Sequence, residues 1–306
     1  MTKPRIVSLL PAATEIVAGL GALDLLMGRS HACDFPAAVQ TLPALTQPRI
    51  DPFKPGALLD REMRKTLEAA LSIYRIDAEA LRQLAPDLVL TQTLCASCAV
   101  HPDDLAAALR SWTSAKPMII ALSAMRIDAV YADITDIAAA LGRRLAGEAL
   151  VTRIGARFAG VSARITPERP VRVVALEWLE PLMAGGNWLP ELIEIAGGDP
   201  LLAQTGAHSP WLTAAALAKA DPDTLLLMPC GFTLDRVCAE APRFLARPEI
   251  AVLRAVLENR VFALDGNAYF NRPGPRLADS AEILAEILHP PDVNRFEDHA
   301  WRRLSR

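Results

Sequence analysis

Short runs of apolar, largely β-branched residues alternate along the chain with longer stretches in which apolar positions recur every three or four residues. The first kind reads as strand and the second as helix, because side chains realign every second residue on a strand and about every 3.6 residues on a helix. Strands are expected over residues 5–9, 25–29, 86–91 and 116–122, and helices over 13–20, 77–84 and 102–112. From 127 to 159 no strong breaker intervenes, and Ile127, Val130, Ile134, Ile137, Leu141 and Leu145 keep helical spacing. That predicts one long helix, continuous or kinked, although Gly142, Gly147 and Gly155 each cost up to about 1 kcal/mol.

After the turn-rich stretch 166–170 the alternation restarts, with strands expected over 171–177, 223–228 and 260–264. Helices are expected over 189–196, 212–220, 234–240, 250–257 and 275–288. The segment Ala85-Pro86-Asp87-Leu88-Val89-Leu90 has a near-echo in Ala220-Asp221-Pro222-Asp223-Thr224-Leu225-Leu226-Leu227. Strand–helix alternation of this kind implies an α/β fold with mostly parallel sheets covered by helices. Two such lobes are expected: an N-terminal one over 1–126 and a C-terminal one over 161–306 that ends in a helical tail. The helix over 127–160 would be the spine between them.

Composition narrows the functional classes. The chain has 306 residues, 52% of them apolar, with eight Phe, five Trp and three Tyr, so Ala, Leu, Val and Ile must build most of the core. A formal charge of −3 excludes a protein that holds nucleic acid by neutralising phosphates. No run approaches the roughly 18 apolar residues of a membrane span. The opening apolar run stops at Pro11, short of a signal-peptide core, so a cytoplasmic protein is expected. Five cysteines, an odd number, do not suggest a disulfide framework.

In open α/β sheets ligands bind beyond the carboxyl ends of the strands, so the loops there hold the candidates. The first is Ser8-Leu9-Leu10-Pro11, the second Ser30-His31-Ala32-Cys33-Asp34-Phe35-Pro36, the third Thr91-Gln92-Thr93-Leu94-Cys95-Ala96-Ser97-Cys98. The second half contributes Glu177-Trp178, Gly185-Gly186-Asn187-Trp188, Pro229-Cys230-Gly231-Phe232 and the stretch 265–276 with Tyr269, Arg272 and Arg276. These loops hold four of the five cysteines and six aromatic residues, which suggests a cleft lined by aromatic planes, thiols and a few charges.

The opening Ile6-Val7-Ser8-Leu9-Leu10-Pro11-Ala12-Ala13-Thr14-Glu15 resembles the first strand and loop of the iron-siderophore and vitamin B12 substrate-binding proteins of ABC importers. The strand Pro86-Asp87-Leu88-Val89-Leu90, the expected spine and the Ala196-Gly197-Gly198 turn are similar too, so the likeness runs from Arg5 to about Leu288. It implies two Rossmann-like lobes, a rigid helix and a ligand held between the lobes. The cysteine loops, Pro229-Cys230-Gly231-Phe232 and Arg272-Pro273-Gly274-Pro275-Arg276 look like a cytoplasmic branch often labelled cobalamin-binding. That branch implies a corrinoid ligand and argues against an ABC permease as partner.

Two chemistries compete for these residues. A binder of a flat, metal-bearing corrinoid would use Pro11, Phe35, Trp178, Asn187, Trp188, Phe232 and Tyr269 for contact area and ring-substituent hydrogen bonds. Arg272 and Arg276 would take carboxylate or phosphate groups, and His31 would offer a nitrogen to the metal. Core packing is the competing explanation for the aromatics, strongest for Trp211 and weakest for Trp178 and Trp188. Alternatively, Cys33, Cys95 and Cys98, with Cys230 as a fourth ligand, would hold an iron–sulfur cluster or zinc. An open metal position would make the protein an enzyme or sensor, with Glu177 or Asp34 as acid/base and burial beside Trp178 raising the Glu177 pKa. A dithiol redox pair fits less well, because the helix expected near Pro102 starts too late to polarise Cys95 and Cys98. The tail 295–306, with Phe296 and Trp301, has two places to pack, the body of the protein or a second subunit in a homodimer.

Overall fold

A computed structural model describes residues 3–68, 73–93, 102–109, 116–165, 169–291 and 293–305. The chain divides into two compact units: Met1–Lys54, Leu58–Ala124 and Asp128–Thr152 make the first, and Pro55–Ala57, Met125–Ile127 and Arg153–Arg306 the second. The order of elements begins β1 (Ile6–Ser8), α1 (Pro11–Gly19), β2 (Leu26–Arg29), β3 (Thr46–Pro48), α2 (Gly56–Glu68), β4 (Tyr74–Ile76) and α3 (Ala78–Leu84). It continues with β5 (Leu88–Gln92), α4 (Pro102–Leu109), β6 (Met118–Leu122), α5 (Ile127–Ala140) and α6 (Arg144–Ser162). Then come β7 (Val171–Leu179), β8 (Leu182–Ala184), α7 (Leu189–Ile195), β9 (Gly198–Pro200), α8 (Ala214–Ala220) and β10 (Thr224–Leu227). Last are α9 (Leu234–Leu245), α10 (Pro248–Ala251), α11 (Arg254–Leu257), β11 (Val261–Leu264), α12 (Leu277–Leu288) and β12 (Trp301–Leu304).

In the first unit the main sheet runs β2-β1-β5-β6, parallel throughout. All of β1 and β5 is buried, the pattern of parallel strands covered on both faces, and Val7, Leu9, Leu45, Leu81, Val89, Leu105 and Leu109 pack into one cluster. A small antiparallel pair, β3 with β4, accompanies that sheet. In the second unit the sheet runs β12-β11-β10-β7-β8, with β9 added beside β7. Its inner strands are parallel, and β8 and β12 run antiparallel at the two ends of the row.

The echo between the two halves is structural. In the first unit the N–H of Arg5 donates to the Asp87 carboxylate at 2.8 Å while the Asp87 N–H donates to the Arg5 carbonyl at 2.9 Å. In the second, Arg172 and Asp223 exchange the same pair of bonds at 2.9 and 2.8 Å. Each Asp follows a helix that ends in a left-handed residue, Ala85 or Asp221. The same helix–turn–strand device thus sets a central strand beside the first strand of its sheet, twice.

Three expectations are corrected. The stretch foreseen as one long spine helix is two helices, α5 and α6, separated at 141–143. Gly142 takes φ +66°, its N–H donates to the Ala139 carbonyl at 3.1 Å, and the Arg143 N–H donates to the Ala138 carbonyl at 2.7 Å. This Schellman closure ends a helix. The helix expected over 250–257 is likewise two short ones, α10 and α11. The C-terminal tail is not helical: it carries β12, which pairs antiparallel with β11.

Candidate functional site

At the carboxyl ends of β1 and β2, backbone bonds lock the loops of the first unit together. Ser30 N–H donates to the Ser8 carbonyl and Leu9 N–H to the Leu90 carbonyl, both at 2.8 Å. Pro11 opens α1, where its missing N–H costs nothing, and it is only partly exposed. The Thr14 hydroxyl lies 2.8 Å from Ser8 Oγ and 3.0 Å from the sulfur of buried Cys33. Arg29 donates through Nη1 to the carbonyls of Ser30, His31 and Cys33, which fixes the backbone that carries those side chains. Phe35, next in the loop, is 45% exposed.

His31 is the organised group of this cluster. Its Nδ1 lies 2.7 Å from the Thr46 hydroxyl, its own N–H donates to that hydroxyl at 3.0 Å, and its ring centroid is 5.3 Å from that of Tyr74. Burial, reinforced by the positive Arg29, lowers the His31 pKa from its ordinary value of 6.5, so the ring is neutral at pH 7. In the tautomer whose Nδ1–H donates to Thr46, Nε2 keeps its lone pair for a metal, the outer-shell arrangement that orients metal-binding histidines. Thr46 lies 15 positions beyond His31, on β3, and no local pattern marks it as part of a site.

Cys95 and Cys98 lie outside the described residues. Among the described residues no group of three or more His, Cys, Asp or Glu side chains is arranged to hold a metal ion.

In the second unit the loops after β7, β10 and β11 interlock. Cys230 N–H donates to the Glu177 carbonyl at 3.1 Å, and Asn267 N–H to the Phe232 carbonyl at 3.0 Å. Trp188 Nε1–H donates to the Phe270 carbonyl at 3.0 Å, and the Trp178 and Phe232 rings meet edge to face at 5.4 Å. Gly266 is required here, since a Cβ would come within 2.4 Å of the Pro229 carbonyl oxygen. Ser209 donates to Glu177 Oε2 at 2.5 Å and accepts the Gly186 N–H at 3.1 Å, so Glu177 braces the glycine loop from below. Arg276 lies over Tyr269 at 5.4 Å, and Arg272 is buried at 3% exposure.

The aromatic ranking comes out reversed. Trp178 and Trp188 are buried, at 7% and 6% exposure, whereas Trp211 is 55% exposed. The side chains these segments leave half-exposed include Glu177, Asn187, Cys230, Asp265, Asn267, Tyr269, Asn271 and Arg276. Each unit therefore presents polar groups on a strand-end platform stiffened by buried aromatic or hydroxyl contacts. Such a platform suits recognition of a small molecule more than covalent chemistry.

Residues 6–268 match the family described as Periplasmic binding protein. The chain belongs to that family. Solved structures of the family's fold agree. An ABC transporter substrate-binding protein from Listeria monocytogenes EGD-e is 18% identical with a TM-score of 0.71, covering 95% of this chain and 100% of that one. The heme-binding protein RhuT from Roseiflexus sp. RS-1 is 24% identical with a TM-score of 0.69, covering 94% and 98%. The vitamin B12 binding protein BtuF of Vibrio cholerae is 20% identical with a TM-score of 0.66, covering 93% and 96%. No curated protein sequence matches the chain. No helix among the described residues is long and apolar enough to cross a membrane.

Proposed function

We propose that this periplasmic binding protein homologue binds a metal-centred corrinoid, with His31 Nε2 as a ligand to the cobalt. The observation that carries the reading is the His31–Thr46 pair, a neutral, half-buried imidazole held at a strand end by a 2.7 Å hydrogen bond. Structures sharing the fold include proteins described as binding heme and vitamin B12, both metal macrocycles that take an axial nitrogen. The loops 229–232 and 272–276, which resemble a cobalamin-binding branch, both follow parallel strands of the second sheet.

Aquocobalamin carries an exchangeable water on cobalt, so the test is a visible-band titration of the ligand-free protein with aquocobalamin and, separately, with haemin. The expected result is a saturable shift of the aquocobalamin bands, absent in His31→Ala although binding persists more weakly. A protein that shifts the haemin bands but ignores aquocobalamin would assign the other macrocycle; a protein that binds neither would remove the reading.

A second reading keeps the cysteines. Cys33 is buried in the loop after β2, with the Thr14 hydroxyl 3.0 Å from its sulfur. With Cys95 and Cys98 it would make a three-thiolate iron–sulfur or zinc centre. Protein purified without oxygen and assayed for iron, zinc and sulfide tests it. Zinc at one equivalent, or iron with matching sulfide, that disappears in Cys95→Ala supports the centre, and metal-free protein that still binds aquocobalamin eliminates it.

A further inference from the structure

Two hydroxyls and an imidazole share one hydrogen-bonded knot beside the loop after β2. Thr46 Oγ1 accepts the His31 backbone N–H at 3.0 Å and lies 2.7 Å from His31 Nδ1 and 2.9 Å from Ser30 Oγ. Ser30 Oγ in turn accepts the Ala32 N–H at 3.3 Å, and neither hydroxyl has a further partner among the described residues. Ser30 is 5% exposed and Thr46 1%, so water does not stand in for a missing partner. Each hydroxyl brings one hydrogen and two lone pairs, and a neutral imidazole carries its single hydrogen on Nδ1 or on Nε2.

Only one arrangement gives every hydrogen in the knot an acceptor. With Nδ1 bare, the Ala32 N–H donates to Ser30, the Ser30 hydroxyl to Thr46 and the Thr46 hydroxyl to Nδ1, while the other lone pair of Thr46 takes the His31 N–H. With the hydrogen on Nδ1 instead, the ring and the His31 N–H fill both lone pairs of Thr46, whose own hydrogen must turn to Ser30. Ser30 then accepts twice, and its hydrogen points at no acceptor. A buried hydroxyl hydrogen left in that state is disfavoured roughly tenfold or more. The N–H groups of Ala32 and His31 thus direct the chain of hydroxyls toward the ring. The ring hydrogen is left on Nε2, which makes no hydrogen bond among the described residues.

We propose that ligand-free His31 rests as the Nε2–H tautomer, set by the Ser30–Thr46 hydroxyl chain, and that coordination of a metal through Nε2 is coupled to a tautomer exchange. The coupling rests on the reading of His31 as an axial ligand; the resting tautomer does not. In the exchange Nε2 gives up its proton to water as its lone pair takes the metal, one proton returns to Nδ1, and the ring stays neutral. The hydroxyls rotate in the same step, Thr46 toward Ser30, and the Ser30 hydrogen loses its acceptor. The loop therefore meets an incoming ligand first with a hydrogen-bond donor and only then with a lone pair.

Long-range 1H–15N correlation of the histidine rings in 15N-labelled protein at pH 8 tests the resting state, with His31→Gln assigning the signal among the five histidines. The expected wild-type pattern is a protonated Nε2, a bare Nδ1 far downfield, and a slowly exchanging Thr46 hydroxyl proton coupled to Nδ1 through the hydrogen bond. Thr46→Val removes that donor and should let the two tautomers mix, so that the two nitrogen shifts of His31 move toward each other. A proton on Nδ1 in the wild type, or a pattern unchanged in Thr46→Val, overturns the proposal. The wild-type coupling decides by itself where the valine variant does not fold.

Aquocobalamin supplies the second arm, since its low-spin cobalt(III) is diamagnetic and leaves the ring signals readable. In the complex His31 should carry its hydrogen on Nδ1, with the Nε2 signal displaced by the metal. A complex in which His31 keeps Nε2–H overturns the exchange, and the metal bond to His31 with it, while corrinoid binding stands. Nδ1–H already present in the ligand-free protein overturns the proposal and spares His31 as the cobalt ligand. No complex at all removes the corrinoid reading and the exchange that rests on it, and the first arm alone then upholds or refutes the resting tautomer.

Discussion

The Thr46 hydroxyl sits 2.7 Å from Nδ1 of His31 and 2.9 Å from Oγ of Ser30, joining a short outer strand to the loop at the end of β2. One hydroxyl therefore sets both the rotation of the imidazole and the path of its backbone. Thr46 is buried at 1% exposure, so water does not replace the lost partner when the hydroxyl is deleted. Thr46→Val should cost about 1–3 kcal/mol in chemical denaturation and weaken the axial ligand about tenfold. Thr46→Ser, which keeps the oxygen, should recover most of both. A Val variant with unaltered visible bands on aquocobalamin would show that the brace does not orient the ring.

Burial and Arg29 hold the His31 pKa below 6.5, and the sign of the consequence follows. The unfolded chain takes up the proton first as pH falls, so folded stability is complete above about 6.5 and is lost through the folded-state pKa. Coordination by His31 should persist on the acid side of an ordinary histidine for the same reason. The NMR titration of the His31 Hε1 signal measures the midpoint. A midpoint at or above 6.5 contradicts the structure.

Several features of the fold can be read from the chain because the physics behind them is local. The helix ending at Gly21 is one: Gly21 takes φ +67°, and the N–H groups of Gly21 and Ala22 close back on Ala18 and Val17. The repeat of Ala85–Leu90 in 220–227 is another, since an Asp at the head of a central strand needs only the adjacent first strand to bond. Where reading failed, long-range packing decides. Leu141 and Leu145 continue the helical spacing through Gly142, yet Leu145 is 81% exposed, so periodicity there reported no buried face. Trp211 sits in an ordinary-looking run and is exposed, while Trp178, within β7, and Trp188, beside the Gly185-Gly186 loop, are buried; only long-range packing tells them apart. Thr46 and Ser209, the hydroxyls that brace His31 and Glu177, come from other segments and carry no motif.

Asp223 accepts the Arg172 N–H at 2.9 Å and lies 2.7 Å from Arg254 and 3.2 Å from Arg169. Burial pushes its carboxyl pKa up, but the Arg172 N–H and the Arg254 guanidinium outweigh that and hold it below the ordinary 3.8. Its contribution is therefore present above pH 3.8 and is lost as pH falls through the lowered value. Asp223→Ala should cost about 3 kcal/mol at pH 7, because it leaves a strand N–H without its acceptor and strips an ion pair from Arg169 and from Arg254, which keeps only Asp221. The matching Asp87→Ala should cost less, since it strips the Arg5 N–H of its acceptor but breaks no comparable network. Equilibrium urea denaturation of both variants compares them, and equal losses would show that the arginines around Asp223 add nothing.

Glu286 is a buried carboxylate on α12 that ties down the C-terminal segment. Its Oε1 accepts the Trp301 indole N–H at 2.8 Å and the Phe296 N–H at 3.0 Å, and its Oε2 accepts the Arg295 N–H at 2.8 Å. Trp301 begins β12, so the carboxylate decides whether that strand docks on β11. Glu286→Ala leaves three donors without an acceptor and should cost about 3 kcal/mol or more. Amides of residues 301–304 should then exchange with solvent faster than those of β11. Unchanged protection of β12 in hydrogen exchange would mean that the strand holds without the latch.

Asp133 on α5 accepts backbone N–H groups of Ala124 and Ser123, and its Oδ2 is buried with no hydrogen-bond partner among the described residues. Burial raises its pKa from 3.8 to about 6; those two N–H groups pull the other way, and the Asp136 charge adds to the rise. The folded state thus holds a proton that the unfolded chain has released between pH 3.8 and about 6, and stability falls as pH rises through that window. Asp133→Asn keeps an oxygen for the two N–H groups and removes the penalised charge. It should raise the melting temperature at pH 8, with the gain shrinking through pH 6 and gone by about pH 4. A gain that stays constant with pH would trace the effect to packing, and a loss at every pH would show that the carboxylate is worth more as an acceptor than it costs as a buried charge.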